Sequence, residues 1–170
     1  WGHADFPKNG LWDVHGIFKT EALYANGVKM VVSNELPNGI KFEGTDGWIF
    51  VSRGDYQATS SDPGVKGEQA KKIDASDPKV LTSVIGENEF HFKVSKQHHS
   101  NWLEAIRDNT EPIAPVEEAH RSCSACLVHH IAMKLNRKVY WDPAKEKFKN
   151  DDEANKMLYR TQRSPYNIKA

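Results

Sequence analysis

The residues with the most obvious chemistry are Cys123-Ser-Ala-Cys126, followed closely by His129 and His130. On a helix, Cys123, Cys126 and His130 fall on one face at spacings of three and four, so three ligands could converge on a zinc-like ion. Ala119, Leu127 and Ile131 share that side, however, which makes it the expected buried stripe. Free cysteine packs there as a small apolar group, and the sequence supplies no clear fourth ligand. Core packing is therefore the expectation, with a small metal-binding protein built on Cys123, Cys126 and His130 as the competing one. Redox use of the pair would need a strand immediately before it, in a thioredoxin-like pattern, and none precedes it.

Five other residues could sit beside a substrate. His98 and His99 open a helix after an apolar-alternating run and could contact a ligand; the plainer expectation is an exposed helix start. His120, with Arg121, lies near the start of a long helix. The positive helix end disfavours its protonated form, so a structural hydrogen bond is expected rather than catalysis. Arg160 and Arg163 belong to a polar tail that could reach a ligand. Asp151-Asp-Glu153 could suggest a cation site, but capping and the helix dipole explain three carboxylates in a first turn equally well. Trp48, Phe50, Trp102 and Trp141 could form a sugar-stacking platform or, more simply, core and interface. None of these residues is assigned a catalytic role, and none a cofactor-binding one.

These side chains must be carried by ordinary elements. Ile17–Tyr24 and Val28–Val32 flank Asn26-Gly27, a strong hairpin signal because both turn positions tolerate positive φ. Ile40–Glu43 and Trp48–Val51 follow turns at Pro37–Gly39 and Gly44–Gly47, giving an expected meander of about four antiparallel strands. Met30–Val32 and Trp48–Val51 are apolar at consecutive positions, which predicts cover on both faces, by helices on one side and a partner subunit on the other. Residues from Gly54 to Ser76 are rich in Gly, Ser, Asp and Lys and predict a long surface excursion. Asp77-Pro78 predicts a capped helix to about Val84, and Glu89–Val94 a further strand. Helices are predicted over His98–Arg107, with Trp102, Leu103 and Ile106 on one face, and from about Val116 to Leu135. A short strand at Val139–Trp141 and a helix over Asp151–Leu158 close the chain. The expected fold class is α+β: an open, mainly antiparallel sheet with helices packed on one face, in a single domain over residues 1–170.

The 170 residues are 38% apolar and 27% charged, a soluble composition, and no apolar run approaches the roughly 20 residues a bilayer requires. Basic and acidic residues balance at 23 each, against the basic excess of a nucleic-acid binder. Two cysteines cannot make a disulfide framework. The chain opens on Trp1 with no leader-like segment, which suggests that it starts inside a longer polypeptide. Compartment is thus left open, cytoplasmic being the default and export of the parent a possibility.

The segments Asn38-Gly-Ile-Lys-Phe-Glu-Gly-Thr-Asp-Gly-Trp-Ile-Phe-Val-Ser-Arg-Gly54 and His98-His-Ser-Asn-Trp-Leu-Glu-Ala-Ile-Arg107 carry a resemblance, with Pro112-Ile-Ala-Pro-Val-Glu-Glu-Ala-His-Arg-Ser122 and the ending from Trp141-Asp-Pro143 to Asp151–Asn155. In this order they resemble the C-terminal domain of the glucose-fructose oxidoreductase / inositol dehydrogenase / MocA family, in the bacterial branch of uncharacterised oxidoreductases. The resemblance implies a parent with a Rossmann domain holding NAD or NADP, hydride transfer at a sugar or polyol carbon, and a second domain whose sheet often packs on another subunit. No Gly-x-Gly-x-x-Gly turn and no lysine-proline element of the family's kind occur here, so no cofactor is expected to bind this chain. Gly2-His3-Ala-Asp5 superficially resembles the family's histidine–aspartate segment but precedes a loop and the first strand, so His3 takes no role. The implied function is a substrate-pocket wall and oligomer interface, inactive alone and completed by the missing Rossmann domain. Two alternatives stand beside it: a non-enzymatic carbohydrate-binding or scaffold module, and the metal protein above.

Overall fold

The computed structural model describes residues 1–52 and 73–166. In chain order the elements are β1 (Gly2–Ala4), β2 (Phe18–Leu23), β3 (Lys29–Ser33), β4 (Ile40–Gly44), β5 (Gly47–Val51), β6 (Ile73–Ala75) and α1 (Pro78–Thr82). They continue as α2 (His98–Asp108), α3 (Val116–Leu135), β7 (Trp141–Asp142), β8 (Lys147–Phe148) and α4 (Asp152–Lys156). The fold is α+β, with antiparallel open sheets ordered β1-β2-β3 and β4-β5-β6 and a small β7-β8 hairpin. Two compact units result: Trp1–Glu35 with His120–Ala170, and Leu36–Ala119. Among the described residues no helix is long and apolar enough to cross a membrane.

In the first unit the Asn26-Gly27 hairpin forms as its sequence predicts. Gly27 takes φ +88°, Val28 N donates to Asn26 Oδ1 at 3.1 Å, and Thr20 and Ala22 face Val32 and Met30. The ladder stops after Ser33 because the Asn34 side chain substitutes for backbone, accepting from Phe18 N at 2.9 Å and donating to Gly16 O at 3.0 Å. Strands β3 and β4 consequently lie in different sheets, so the expected four-strand meander is two hairpins. Strand β1 adds to the other edge of β2, and there it touches α3. A Cβ built on Gly2 would lie 2.8 Å from Met133 N and 3.0 Å from Ala132 C, both backbone atoms. Substituting Gly2 by alanine should cost about 1–2 kcal/mol in urea unfolding. The value stays modest because a three-residue edge strand can retreat; an unchanged midpoint would show that the close approach is not obligatory.

The core of this unit sits where the second half of α3 meets the C-terminal elements. Ile131, Phe148 and Ala154 are buried together, with Val128, Leu135, Val139, Trp141 and Leu158 packed against them. Asn136, at φ 48°, ends α3 in the left-handed region that asparagine tolerates. Arg137 then grips Asp151 through Nη1 at 2.5 Å and Nη2 at 2.9 Å, and Glu153 at 3.0 Å. Asp151 also caps α4 by accepting from Ala154 N at 3.1 Å, so the acidic first turn is explained by capping and pairing. The Arg137 hydrogen bonds, with the capping bond second, hold the Asp151 carboxyl down at about 2. Its contribution is complete above the ordinary carboxylate pKa and is lost as pH falls from about 4 through about 2.

In the second unit Asp77 Oδ1 accepts from Lys79 N at 2.8 Å and starts α1 at Pro78. Helix α2 ends at Asn109, again left-handed at φ 50°. Cross-strand register puts Ile40 with Val51, Phe42 with Ile49, Ile49 with Ala75 and Val51 with Ile73. One face of this sheet is therefore wholly apolar, while the other carries Lys41, Glu43, Trp48, Phe50 and Asp74. Ile40 and Phe42 remain 60% and 59% exposed, and β5 is only half-buried. Among the described residues nothing covers both faces as expected, and Val31 and Val32 likewise stay exposed. On α2, Trp102, Leu103 and Ile106 are likewise exposed, and Ala105 alone is buried. Glu89–Val94 does not form the expected strand, because among the described residues no strand pairs with it and alternation alone cannot satisfy the backbone. Of the expected Gly54–Ser76 excursion, residues 54–72 lie outside the described residues, and Ile73–Ala75 is strand β6.

Candidate functional site

In the first unit the β7–β8 hairpin, α3 and the chain after α4 border a groove of about 320 Å³. Trp141 lines it from β7, Ser124 from α3, and Lys145, Glu146 and Lys147 from the hairpin. Leu158 and Tyr159 close it beyond α4. The ring of Trp141 is fixed edge-on against buried Phe148, with centroids 5.0 Å apart. The Asp142 side chain shapes the turn, its Oδ1 accepting from Ala144 N at 3.1 Å and Lys145 N at 3.2 Å.

His120 reaches this groove from behind. Its Nε2 meets Glu146 Oε1 at 2.5 Å, while Arg121 Nη1 donates to Pro143 O at 2.7 Å and to the same Glu146 oxygen at 3.3 Å. The His120 hydrogen bond, then the charges of His120 and Arg121, hold the Glu146 carboxyl below its usual range. His120 thus braces α3 against the hairpin through this hydrogen bond. The groove is lined by a flat aromatic surface, two hydroxyls, two lysines and the Glu146 carboxylate.

The other candidates are not gathered there. His98 and His99 are exposed at the start of α2 with ring centroids 4.2 Å apart. The shallow hollow beside them is lined by Val94–Gln97, Ser100, Asn101 and Glu104 and includes neither histidine. Arg160 and Arg163 are exposed, and Arg163 lies over the Tyr166 ring at 5.5 Å. Cys123 and Cys126 are both free and exposed. Their expected place in the core is therefore corrected: the buried part of α3 lies further on, at Ile131, Ala132 and Met133. Among the described residues no group of three or more His, Cys, Asp and Glu side chains is placed to hold a metal ion.

A second cluster joins His129 and His130, which follow the cysteines in sequence, to Thr20 and His15, which the sequence does not single out. Thr20, 1% exposed, shares a 2.7 Å hydrogen bond with His129 Nδ1, while His129 Nε2 and His15 Nδ1 are buried without a hydrogen-bond partner. His130 stands 5.9 Å from His15 and 6.2 Å from Phe6 between ring centroids, and His15 packs edge-on against Phe18 at 4.8 Å. The pairing joins residues more than 100 positions apart (Thr20 and His129), so only an inter-element contact creates it. Nothing in the sequence singles out Lys145 and Lys147 of the hairpin either.

Residues 38–168, more than three quarters of the chain, match the family described as the oxidoreductase family, C-terminal alpha/beta domain. No curated protein and no solved structure gives a significant match. The matched span contains the β4-β5-β6 sheet, α3 and the whole of the groove.

Proposed function

The chain belongs to the Gfo/Idh/MocA oxidoreductase family as its C-terminal domain, and from that premise we propose that it is the substrate-side and assembly half of an NAD(P)-dependent enzyme acting on a sugar or polyol. The family match over residues 38–168 carries this reading. A nicotinamide dinucleotide needs a glycine-rich turn delivering its pyrophosphate to a helix N-terminus, and the residues here do not fit one. The sequence contains no Gly-x-Gly-x-x-Gly. Moreover, α1 starts under the Asp77 carboxylate, α3 carries Glu117 and Glu118 in its first turn, and α4 carries Asp152 and Glu153. Those carboxylates repel a pyrophosphate, and α2, whose first turn carries none, follows no glycine-rich turn. The cofactor is accordingly assigned to a partner Rossmann domain, and this chain's own residues bind and orient the substrate.

Assembly is read from the apolar face of β4-β5-β6. Six register-matched apolar side chains (Ile40, Phe42, Ile49, Val51, Ile73 and Ala75) form one continuous patch, the kind of surface that marks a protein interface. A second copy of the chain is its proposed cover. Light scattering after gel filtration should report a dimer or larger species, and Ile49→Lys should shift it to monomer; a monomeric wild-type chain would overturn the assembly. Titration with NADH and NADPH should give no saturable signal, whereas tight binding of either would remove the proposed division of labour.

A further inference from the structure

We propose that the groove beside the β7–β8 hairpin is a binding site for a sugar-sized ligand bearing a carboxylate or phosphate. For the ligand's carbohydrate character the inference rests on the substrate-side reading above; for its charge it rests on the lysines alone. Three charged groups line the groove, Lys145, Glu146 and Lys147. Glu146 is engaged by His120 at 2.5 Å and by the Arg121 guanidinium at 3.3 Å rather than by either lysine. Lys145 and Lys147 form no ion pair among the described residues. Asp142, opposite Lys147 across the hairpin, is turned to its own loop amides. The local balance is therefore positive in a chain whose net charge is zero.

The remaining lining supplies what a ring with hydroxyls requires. Trp141 is locked against Phe148 and offers a rigid apolar surface, with Tyr159 beside it. Ser124 adds a hydroxyl from α3. The volume, about 320 Å³, lies at the lower end of small-ligand sites, so a monosaccharide derivative fits it better than a dinucleotide. Two flexible ammonium groups recognise an anion as point charges, which suits either a carboxylate or a phosphate.

Calorimetric titration of the 170-residue chain with glucuronate, glucose 6-phosphate, glucose and inorganic phosphate tests the proposal. At least one anionic sugar should bind saturably, at least about tenfold tighter than glucose, and more weakly as salt is raised. The exposed double variant K145A/K147A, verified as folded by circular dichroism, should lose about tenfold or more, and K145R/K147R should keep most of the affinity. Which of the two sugars prevails distinguishes carboxylate from phosphate. No saturable binding, inorganic phosphate binding as tightly as glucose 6-phosphate, or binding indifferent to K145A/K147A overturns the proposal. Glucose bound equally well with the lysines irrelevant removes the charge assignment and leaves the substrate-side reading standing. NADH binding does the reverse.

Discussion

Replacing Phe148 by alanine should destabilise the unit built from Trp1–Glu35 and His120–Ala170 by about 3–5 kcal/mol. Phe148 is 2% exposed at the centre of the core with Ile131 and Ala154. Its surroundings cannot readily collapse into the void. Its backbone is tied to the Asn155 side chain in both directions, at 2.8 Å from its N–H and 2.9 Å to its carbonyl, so β8 and α4 hold their spacing. The cavity term therefore adds to the lost transfer energy rather than relaxing away. Against a total stability of about 5–15 kcal/mol for a domain, that loss is a large fraction. Urea unfolding followed by tryptophan fluorescence measures it. The groove should suffer as well, because Trp141 loses the ring that fixes it. A loss under about 1 kcal/mol would mean that Phe148 does not organise this core.

Substituting Thr20 by valine should cost about 1–3 kcal/mol, although the side chains have nearly the same shape. The hydroxyl is the partner of His129 Nδ1 at 2.7 Å, and the other ring nitrogen is already buried without one. Valine would leave both nitrogens of a half-buried imidazole unsatisfied. The same cluster sets an acid limit. Burial first, then the N-terminal ammonium, pushes His129 below its ordinary value. Burial first, followed by Lys134, His15 and Arg160, does the same to His130, against an opposing pull from Asp13. With these folded values below the unfolded one near 6.5, the unfolded chain binds more protons as pH drops. Stability is thus intact above about pH 6.5 and declines below it, well before the Asp151 window is reached. Thermal melts between about pH 7.5 and 5 should show a falling midpoint in wild type and a flatter one in H129N/H130N; equal slopes would sink the assignment.

Much of the local structure was legible because its causes are local. Asn26-Gly27 demands positive φ, Asp77-Pro78 caps and opens a helix, and Asp151 does so again. The α3 boundaries, Val116–Leu135, follow from Pro115 on one side and Asn136 on the other. The failures share a cause too. Glu89–Val94 has a strand's alternation, but a strand requires a neighbour that no local pattern guarantees. The cysteines share a helical face with apolar residues, yet which stretch of that face is buried depends on what lies against it.

The sequence by itself determined the α+β class, the punctuation of turns and helix ends, and the family, since each is written in residues close together along the chain. Tertiary structure alone decided the rest. It placed His120 against Glu146 as a brace, left Lys145 and Lys147 lining a groove with no ion pair among the described residues, and joined Thr20 to His129. The physical reason is that charge balance and burial are properties of neighbours in space. A lysine in a sequence is a cation; only the fold says whether anything already answers it.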